Sequence, residues 1–290
     1  MKGLNPSHFF VAIVYHDKLN QKKNLLSITV TEKTQSDKLM IKRSFLTVLL
    51  LISFFASFKA ANQKETLNYV ISYKWGLIHK DSGEAQIVCT PTPSGYDLRL
   101  YGKTRPWADR LFKVRDTLIS IVGKKDFLPL RYSKIAHENG KYSRDDITFN
   151  YKNGEVTGLA KKTRQKKEGG FNIIEQNLEG KNPVYDMLSV FYFLRNIDYS
   201  SLTPGESVKA TIFSGTLSEE LSVRCTGKEK IKLKDKSERE AWHIVFKFTS
   251  GGGKKSSEDI DCWISTDESH IPLLVVGSLP LGQVRCYYVP

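Results

Sequence analysis

Hydrophobic and polar residues alternate with a period of two along most of the chain after residue 66. In the first such segment one face carries Leu67, Tyr69, Ile71 and Tyr73. This alternation is typical of strands that bury one face and expose the other. Turn residues interrupt it at short intervals, so the sequence predicts a succession of antiparallel strands with short connections.

Two Asn-Gly pairs, Asn139-Gly140 and Asn153-Gly154, stand between alternating segments. Both residue types tolerate the positive φ angles of a type I′ turn, so each pair predicts a two-residue hairpin connection. The segments that these turns would join are Leu130–His137, Tyr142–Tyr151 and Glu155–Ala160. The sequence therefore predicts a meander in the middle of the chain.

Two segments depart from the alternating pattern. Pro106–Phe112 is compatible with one helical turn, because proline is tolerated at the first helical position. Pro183–Asn196 carries apolar residues at the spacing of a helix face. They are Met187, Leu188, Val190, Phe191 and Leu194. We expect one α-helix near residues 184–196, with this apolar stripe against the sheet.

Strand-like segments resume after Thr203-Pro204-Gly205. They are Ser207–Ser214, Leu221–Thr226, Lys228–Lys234, Trp242–Thr249, Ile260–Ser265, Leu273–Ser278 and Gln283–Val289. No evident linker separates the two series of strands. We expect residues 62–290 to form a single, mostly antiparallel β domain, a meander-rich barrel or curled half-barrel of about 12 strands with one packed helix.

The segment 40–61 has the pattern of a secretory signal peptide. Lys42 and Arg43 precede an apolar run of about 14 residues, which is shorter than the roughly 20 that a membrane span needs. Small residues follow, and we expect cleavage after Ala60 or Ala61. This pattern predicts a periplasmic protein with no integral membrane span after cleavage.

The predicted signal begins at Met40 rather than Met1. We interpret residues 1–39 as a disordered, over-extended N-terminus, with translation starting at Met40. The alternative is a signal anchor with a short cytoplasmic tail.

The leader also affects the charge of the protein. The chain has 290 residues and a formal net charge of +13, but residues 61–290 carry only +7, from 35 Lys and Arg against 28 Asp and Glu. A charge of that size favours solubility and weak attraction to anionic surfaces. Because an exported protein seldom meets nucleic acid, we do not expect it as a partner.

Several segments, in this order, are similar to a known family. They are Tyr69–Trp75 with Gly83-Glu84-Ala85, Ala108–Leu118, Gly140–Asp145, Tyr185–Arg195, and Trp263–Asp267 with Ile271-Pro272-Leu273. On these segments the chain resembles the bacterial domain of unknown function 3108 family of exported proteins, over nearly all of residues 65–290. The resemblance implies export, and it supplies no catalytic residues.

Sequence motifs for catalysis or metal binding are missing. Cys89, Cys225, Cys262 and Cys286 are far apart and form no Cys-x-x-Cys pair, so they indicate buried thiols or, as the alternative, two disulfides in one of three connectivities. The histidines after the leader have no metal-binding spacing, and no Gly-x-Ser-x-Gly elbow occurs. We expect no metal, no cofactor and no catalytic residue.

The densest polar cluster lies around the predicted helical turn at Pro106. Arginines and aspartates of this cluster would pair across a sheet edge and fix the turn, or Arg115 or Arg144 would clamp a ligand carboxylate or phosphate. The candidate ligand-binding residues are Trp75, Trp107, Asp109, Arg115 and Arg144.

Five cations occur between Lys161 and Lys167. We interpret this run as the solvated tip of a hairpin-like loop, with contact to anionic lipid headgroups or polysaccharide as the alternative.

Aromatic residues are numerous on the predicted strands, and a gap among them would form an apolar ligand cavity. We therefore expect a non-enzymatic exported protein that binds an apolar or amphipathic envelope component or assists envelope assembly. The partner would be a lipid, a lipoprotein or an envelope glycan. One alternative is a hydrolase of a cell-wall or polysaccharide substrate using Asp109, Asp145 or Asp267. Another is a structural partner of an outer-membrane complex.

Overall fold

A computed structural model describes residues 63–290, except 204, 251–253, 256 and 279–281. The side chains of Trp75, Ile78, Lys254 and Lys255 are likewise not described. The expected tail at 1–39, the start at Met40 and the signal peptide at 40–61 lie outside the described residues.

The described part of the chain contains 16 strands and two helices. The strands are β1 (Glu65–Trp75), β2 (Ile78–Thr92), β3 (Gly95–Thr104), β4 (Val114–Gly123), β5 (Pro129–Glu138), β6 (Lys141–Lys152), β7 (Glu155–Gln165), β8 (Phe171–Lys181), β9 (Val184–Asp186), β10 (Ser207–Ser214), β11 (Leu217–Lys232), β12 (Glu238–Ser250), β13 (Lys254–Lys255), β14 (Ile260–Ser265), β15 (Pro272–Ser278) and β16 (Gln283–Val289). The helices are α1 (Pro106–Asp109) and α2 (Ser189–Asn196).

All 16 strands belong to one sheet. Its order is β8-β7-β6-β5-β4-β3-β2-β1-β16-β15-β14-β12-β11-β10-β9, with β13 paired to β12. Neighbouring strands are antiparallel except β9 and β10, which are parallel. The first and last strands pair in the middle of this order, with Tyr69 opposite Tyr288.

The two outermost strands, β8 and β9, are consecutive in the chain and are separated only by Asn182 and Pro183. The sheet therefore curls back on itself into a nearly closed barrel. The predicted antiparallel, barrel-like fold is confirmed, and the strand count is higher than about 12.

Glycines allow the two ends of the sheet to meet. The ring of Phe213 on β10 lies against β7 and β8, where a Cβ on Gly158 would come within 2.8 Å of it and a Cβ on Gly180 within 3.2 Å. The Ser218 hydroxyl on β11 also donates a hydrogen bond to the Glu179 carbonyl at 3.1 Å. Side-chain packing and single hydrogen bonds close the barrel here, in place of a continuous ladder.

Both Asn-Gly turns have the predicted geometry. The φ angles are +50° and +80° at Asn139 and Gly140, and +52° and +82° at Asn153 and Gly154. They join β5 to β6 and β6 to β7. The predicted meander is confirmed, and the chemistry of the turns fixed its register.

The helix near 184–196 begins later than predicted. Val184–Asp186 is a strand because it pairs in parallel with Thr211–Phe213 of β10, and α2 begins only at Ser189. The buried Asp186 carboxylate accepts hydrogen bonds from the backbone N–H groups of Leu188 and Ser189 at 2.7 and 2.8 Å, which satisfies donors at the start of the helix. The apolar stripe faces the sheet as expected, since Val190 and Leu194 join the core cluster.

Candidate functional site

The barrel contains a partly open cavity of about 550 Å³. Most of its lining is apolar and comes from strands on several sides of the barrel and from α2. Representative residues are Ile71, Ile87, Leu100, Leu118, Phe246 and Phe248 from the strands, and Val190, Phe191 and Leu194 from the helix. A concave apolar space of this size is typical of a small-molecule binding site.

Period-two alternation places the strand residues in the lining. On β2, Ala85 and Ile87 face the cavity, and on β1 Tyr69 and Ile71 do. The bulge between Ile71 and Ser72 in the β1–β2 pairing follows these residues and does not disturb their alternation.

The helix is fixed at both of its ends. Near its beginning, the Ser120 hydroxyl of β4 donates a hydrogen bond to the Asp186 carboxylate at 2.5 Å. At its end, the Arg195 guanidinium donates to both Glu65 carboxylate oxygens at 2.7 and 2.8 Å. The helical part of the cavity wall is therefore held in place by polar contacts to β4 and β1.

A stacked trio of aromatic rings supports the helix from the turn between β4 and β5. The ring of Phe127 lies between Tyr96 at 4.7 Å and Tyr192 at 4.9 Å, measured between ring centroids. Such stacked contacts add to the energy of burial.

Charged residues interrupt the apolar lining on neighbouring strands. Lys134 of β5 lies opposite Asp145 of β6, and Asp145 lies opposite Lys162 of β7. All three line the cavity together with Arg164. We call these four residues the charged rim. Three of them are cations and only one is an acid.

The single carboxylate of the charged rim is bound to its arginine. The Arg164 guanidinium donates two hydrogen bonds to Asp145, at 2.7 and 3.0 Å. Within the described residues, no carboxylate lies within ion-pair distance of Lys162. The turn at Gly215 completes this part of the lining, because a Cβ there would lie 3.5 Å from Asp145 Oδ2.

Lys134 has two acidic neighbours. Its amino group lies 3.9 Å from the Asp116 carboxylate and 3.8 Å from Glu138. The Asp116 side chain is fully buried and neither of its oxygens has a hydrogen-bond partner among the described residues. Burial raises the pKa of Asp116 to about 7, against the attraction of Lys134, which lowers it.

Comparison with known proteins identifies the family. The family model described as "Protein of unknown function (DUF3108)" matches residues 68–288. The chain belongs to the DUF3108 family. The predicted family resemblance is confirmed, and the match covers β1 through β16 apart from a few terminal residues.

A solved structure shares the fold of this DUF3108 protein. The crystal structure of a beta-barrel-like protein of domain of unknown function DUF1849 from Brucella abortus matches with a TM-score of 0.50 and 9% sequence identity. The match covers 79% of this chain and 97% of that one. At this identity the likeness shows the fold alone. No curated protein matches the chain.

The DUF3108 barrel brings together two of the predicted ligand residues, outside the cavity lining. Arg115 donates to Asp109 at 2.7 and 3.0 Å, and the Thr104 hydroxyl also donates to Asp109. The Arg115 hydrogen bonds lower the pKa of Asp109 to about 2. Arg115 and Asp109 therefore pair with each other and fix the helical turn, because the Asp109 carboxylate connects α1 to the start of β4.

The other predicted residues are dispersed. The Trp107 indole donates to the Asp81 carbonyl at 2.6 Å, and Lys80 lies over its ring at 4.4 Å. Arg144 pairs with Asp146 on the outer face of β6. The Trp75 side chain lies outside the described residues. None of the predicted residues that the structure describes lines the cavity.

The cations between Lys161 and Lys167 are not all in a loop, because β7 extends to Gln165. Lys162 and Arg164 face the cavity, whereas Lys161 points outward and pairs with Glu175 at 3.4 Å. One pattern in the sequence predicts that Lys162 and Arg164 face inward. Val156 and Ala160 are apolar at even positions of the same strand, and continuing their alternation leads to 162 and 164.

All four cysteines are buried and free. Cys225, Cys262 and Cys286 lie in one row across the sheet, but Ile244 separates the first two and Val275 the last two. Two intervening strand spacings of about 4.8 Å exceed the reach of a disulfide. Burial raises the pKa of Cys89 to about 11 and that of Cys286 to about 12, so these thiols are unreactive.

The acids considered for hydrolysis are engaged in local contacts. Asp109 pairs with Arg115 and Asp145 with Arg164. Asp267 accepts a hydrogen bond from the Ser269 backbone N–H at 2.9 Å, and its pKa is lowered. A general acid requires a raised pKa, so the lowered pKa values of Asp109 and Asp267 give this chemistry no support.

Neither helix in the described part of the chain has the length and apolar character needed to cross a membrane.

Proposed function

We propose that this DUF3108 protein is a non-enzymatic exported protein that binds an apolar or amphipathic envelope molecule inside its barrel. One observation carries the proposal: the cavity of about 550 Å³ with a mostly apolar lining. Each methylene group that a ligand buries there is worth about 0.8 kcal/mol. The signal-peptide pattern at 40–61 supports export to the periplasm, where such ligands are met.

The rigid construction of the wall also supports binding. Helix α2 is held by Arg195 and Asp186 at its two ends, so its apolar residues Val190 and Leu194 are positioned before a ligand arrives. A preformed site loses less conformational entropy on binding than one that must be ordered.

The test is the purification of the protein from cells that express the full chain, followed by native mass spectrometry and organic extraction. We expect an amphiphile to co-purify, and we expect the neutral fluorescent probe N-phenyl-1-naphthylamine to bind. Leu118→Trp fills the cavity and should reduce probe binding. Leu130→Trp is the matched control, because Leu130 lies on β5 with an exposed side chain.

Circular dichroism of both variants shows whether they fold. A wild-type protein that carries no amphiphile and binds no probe would contradict the proposal. Equal probe binding by folded Leu118→Trp and Leu130→Trp would contradict the assignment of the site to the cavity.

A second candidate function, assembly with an envelope partner, is favoured by the outer strand β8. Phe171, Ile173 and Ile174 are each about half exposed on this strand. An exposed apolar edge strand is a surface that accepts an added strand. Cross-linking from a cysteine placed at Ile173 in cells tests it, with Lys152→Cys as an exposed control on β6. A partner captured only at Ile173 supports assembly, and no adduct argues against it.

A further inference from the structure

We propose that the molecule bound in the cavity is a single-chain amphiphile with an anionic headgroup, and that the headgroup sits on Lys162 and Arg164 of the charged rim. This inference rests on the proposed function and specifies its ligand. Three observations support it. They are the charge balance of the rim, the lack of a described carboxylate within ion-pair distance of Lys162, and the volume of the cavity.

The first observation is the arrangement of charge. Lys134, Asp145 and Lys162 lie side by side on three neighbouring strands. If only these three residues interacted, the Asp145 carboxylate would pair with Lys134 or with Lys162. Instead Arg164 takes both Asp145 oxygens. The lysines are therefore left without this carboxylate, and the rim has an excess of positive charge.

The second observation concerns the two lysines separately. Lys134 has Asp116 and Glu138 near its amino group, at 3.9 and 3.8 Å. Lys162 has no carboxylate of the described residues within ion-pair distance, because Asp145 opposite it pairs with Arg164, and its side chain is partly buried in the cavity wall. An ammonium group that is partly removed from water loses hydration and has no carboxylate to replace it. Such a group gains more binding energy from an anionic ligand than one that already has an acidic partner. Lys162 is thus the primary contact for the headgroup.

Arg164 provides the second contact. Its side chain is about one-third exposed and lies two residues beyond Lys162 on the same face of β7. The two hydrogen bonds to Asp145 and one from Nη1 to the Thr163 carbonyl at 2.9 Å hold its plane in place. Among the described residues, Nε–H and one Nη2–H have no acceptor, and these donors suit a carboxylate or a phosphate equally. Both headgroups are anions, and ligands that differ only in the headgroup distinguish a carboxylate from a phosphate.

The third observation sets the size of the apolar part. A water- or methylene-sized group occupies about 30 Å³, so 550 Å³ holds about 18 of them. That is about the number of carbon atoms in one long acyl chain and about half the number in two such chains. The apolar lining from Val190, Phe191 and Leu194 of α2 and from the strands would contact this chain.

The experiment measures displacement of N-phenyl-1-naphthylamine from the delipidated full-length protein by four ligands with the same 16-carbon chain. They are hexadecanoate, hexadecyl phosphate, hexadecanol and hexadecyltrimethylammonium. We expect one or both anions to bind at least about tenfold more tightly than the alcohol, which corresponds to one charge-assisted hydrogen bond. The cation should bind most weakly. The preferred anion identifies the headgroup as carboxylate or phosphate.

Variants locate the headgroup. Lys162→Met keeps the length of the side chain but removes the charge, and Lys162→Glu reverses it. Both should lose the preference for anions while hexadecanol affinity stays within about twofold. Lys161→Glu is the matched control, because Lys161 is the adjacent residue on the outward face of β7. It makes the same change in net charge and should leave the preference intact.

The outcomes separate the two proposals. If no ligand displaces the probe and no probe binds, the proposed function fails. If hexadecanol or the cation binds as tightly as the anions, the headgroup inference fails and the proposed function stands. The same holds if folded Lys162→Met retains the anion preference. Because the comparison of ligands uses the wild-type protein, a variant that does not fold leaves the inference testable.

Discussion

Arg195 of α2 and Glu65 of β1 form a bidentate ion pair, with nitrogen–oxygen distances of 2.7 and 2.8 Å, across 130 residues of sequence. The Arg195 side chain is only 9% exposed. It also donates to the Ser269 carbonyl at 2.9 Å. This pair connects the end of the helix to the first residue of β1, and so it fixes the helical wall of the cavity.

Replacing Arg195 should destabilise the fold. Arg195→Met leaves the Glu65 carboxylate and the Ser269 carbonyl without their donor, and we expect a loss of about 3 kcal/mol in the free energy of unfolding. Urea denaturation measures it. Arg99→Met is the control, since Arg99 pairs with Asp97 on an exposed part of β3 and should cost less than about 1 kcal/mol. Equal losses in the two variants would contradict the structural role of Arg195.

Asp116 should make the stability depend on pH. Its pKa is raised to about 7 in the folded protein by burial, whereas an unfolded aspartate has a pKa of about 3.9. Between these values the folded state retains the proton and the unfolded state loses it. The contribution of Asp116 is therefore fully present below about pH 4 and is lost as the pH rises towards 7.

The measurement compares the wild type with Asp116→Asn, which stays neutral at every pH. We expect the wild type to lose at least about 1 kcal/mol relative to the variant between pH 4 and 7. The comparison cancels the contribution of Asp186, whose pKa burial raises to about 6. A difference that is constant with pH, or that grows in favour of the wild type, would show that Asp116 is ionised in the fold.

Gly158 should be required for closure of the barrel. A Cβ at this position would lie 2.8 Å from two atoms of the Phe213 ring. Gly158→Ala should therefore destabilise the protein by about 1–3 kcal/mol. Gly123→Ala is the control, because the nearest atom to a Cβ there is 3.8 Å away. The double variant Gly158→Ala/Phe213→Leu should recover part of the loss, and no recovery would place the cost elsewhere.

The cysteines should be reduced in the purified protein. Alkylation after denaturation without reductant should label Cys89, Cys225, Cys262 and Cys286, since all four are free. The native protein should react slowly, because the thiols are buried and burial raises the pKa of Cys89 and Cys286. Mass spectrometry counts the labels. Two labels or none would indicate a bridge that the spacing across the sheet does not allow.

The elements that the sequence predicted best are those that local chemistry specifies. The Asn139-Gly140 and Asn153-Gly154 turns need only the tolerance of these residues for positive φ. The proline at 106 begins a short helix for an equally local reason.

Strand β8 was missed because most of its residues are exposed on both faces, so the period-two pattern that marks a half-buried strand is absent.

The helix boundary shows where local patterning stops being sufficient. The apolar spacing of 187–194 indicates a helix whether or not the preceding residues are helical. Pairing with β10, a strand more than 20 residues later, makes Val184–Asp186 extended. Tertiary hydrogen bonds outweigh helix propensity there.

The candidate site depended even more on distant contacts. The sequence directed attention to Asp109 and Arg115, which are six residues apart and bind each other. The charged rim combines residues from three strands whose register decides that Lys134, Asp145 and Lys162 adjoin. In the sequence alone, Lys162 is one of several consecutive cations with nothing to separate it from Lys161.

By itself, the sequence determined the mostly antiparallel architecture, the hairpins, the family and the apolar face of the helix. These follow from residue periodicity and turn chemistry, which act over a few residues. Only the tertiary structure decided that the sheet curls around a cavity and that Cys225, Cys262 and Cys286 are held apart. It also decided that Lys162 faces inward with no carboxylate of the described residues within ion-pair distance. Those features depend on strand register and curvature, which bring together side chains that are far apart in the chain.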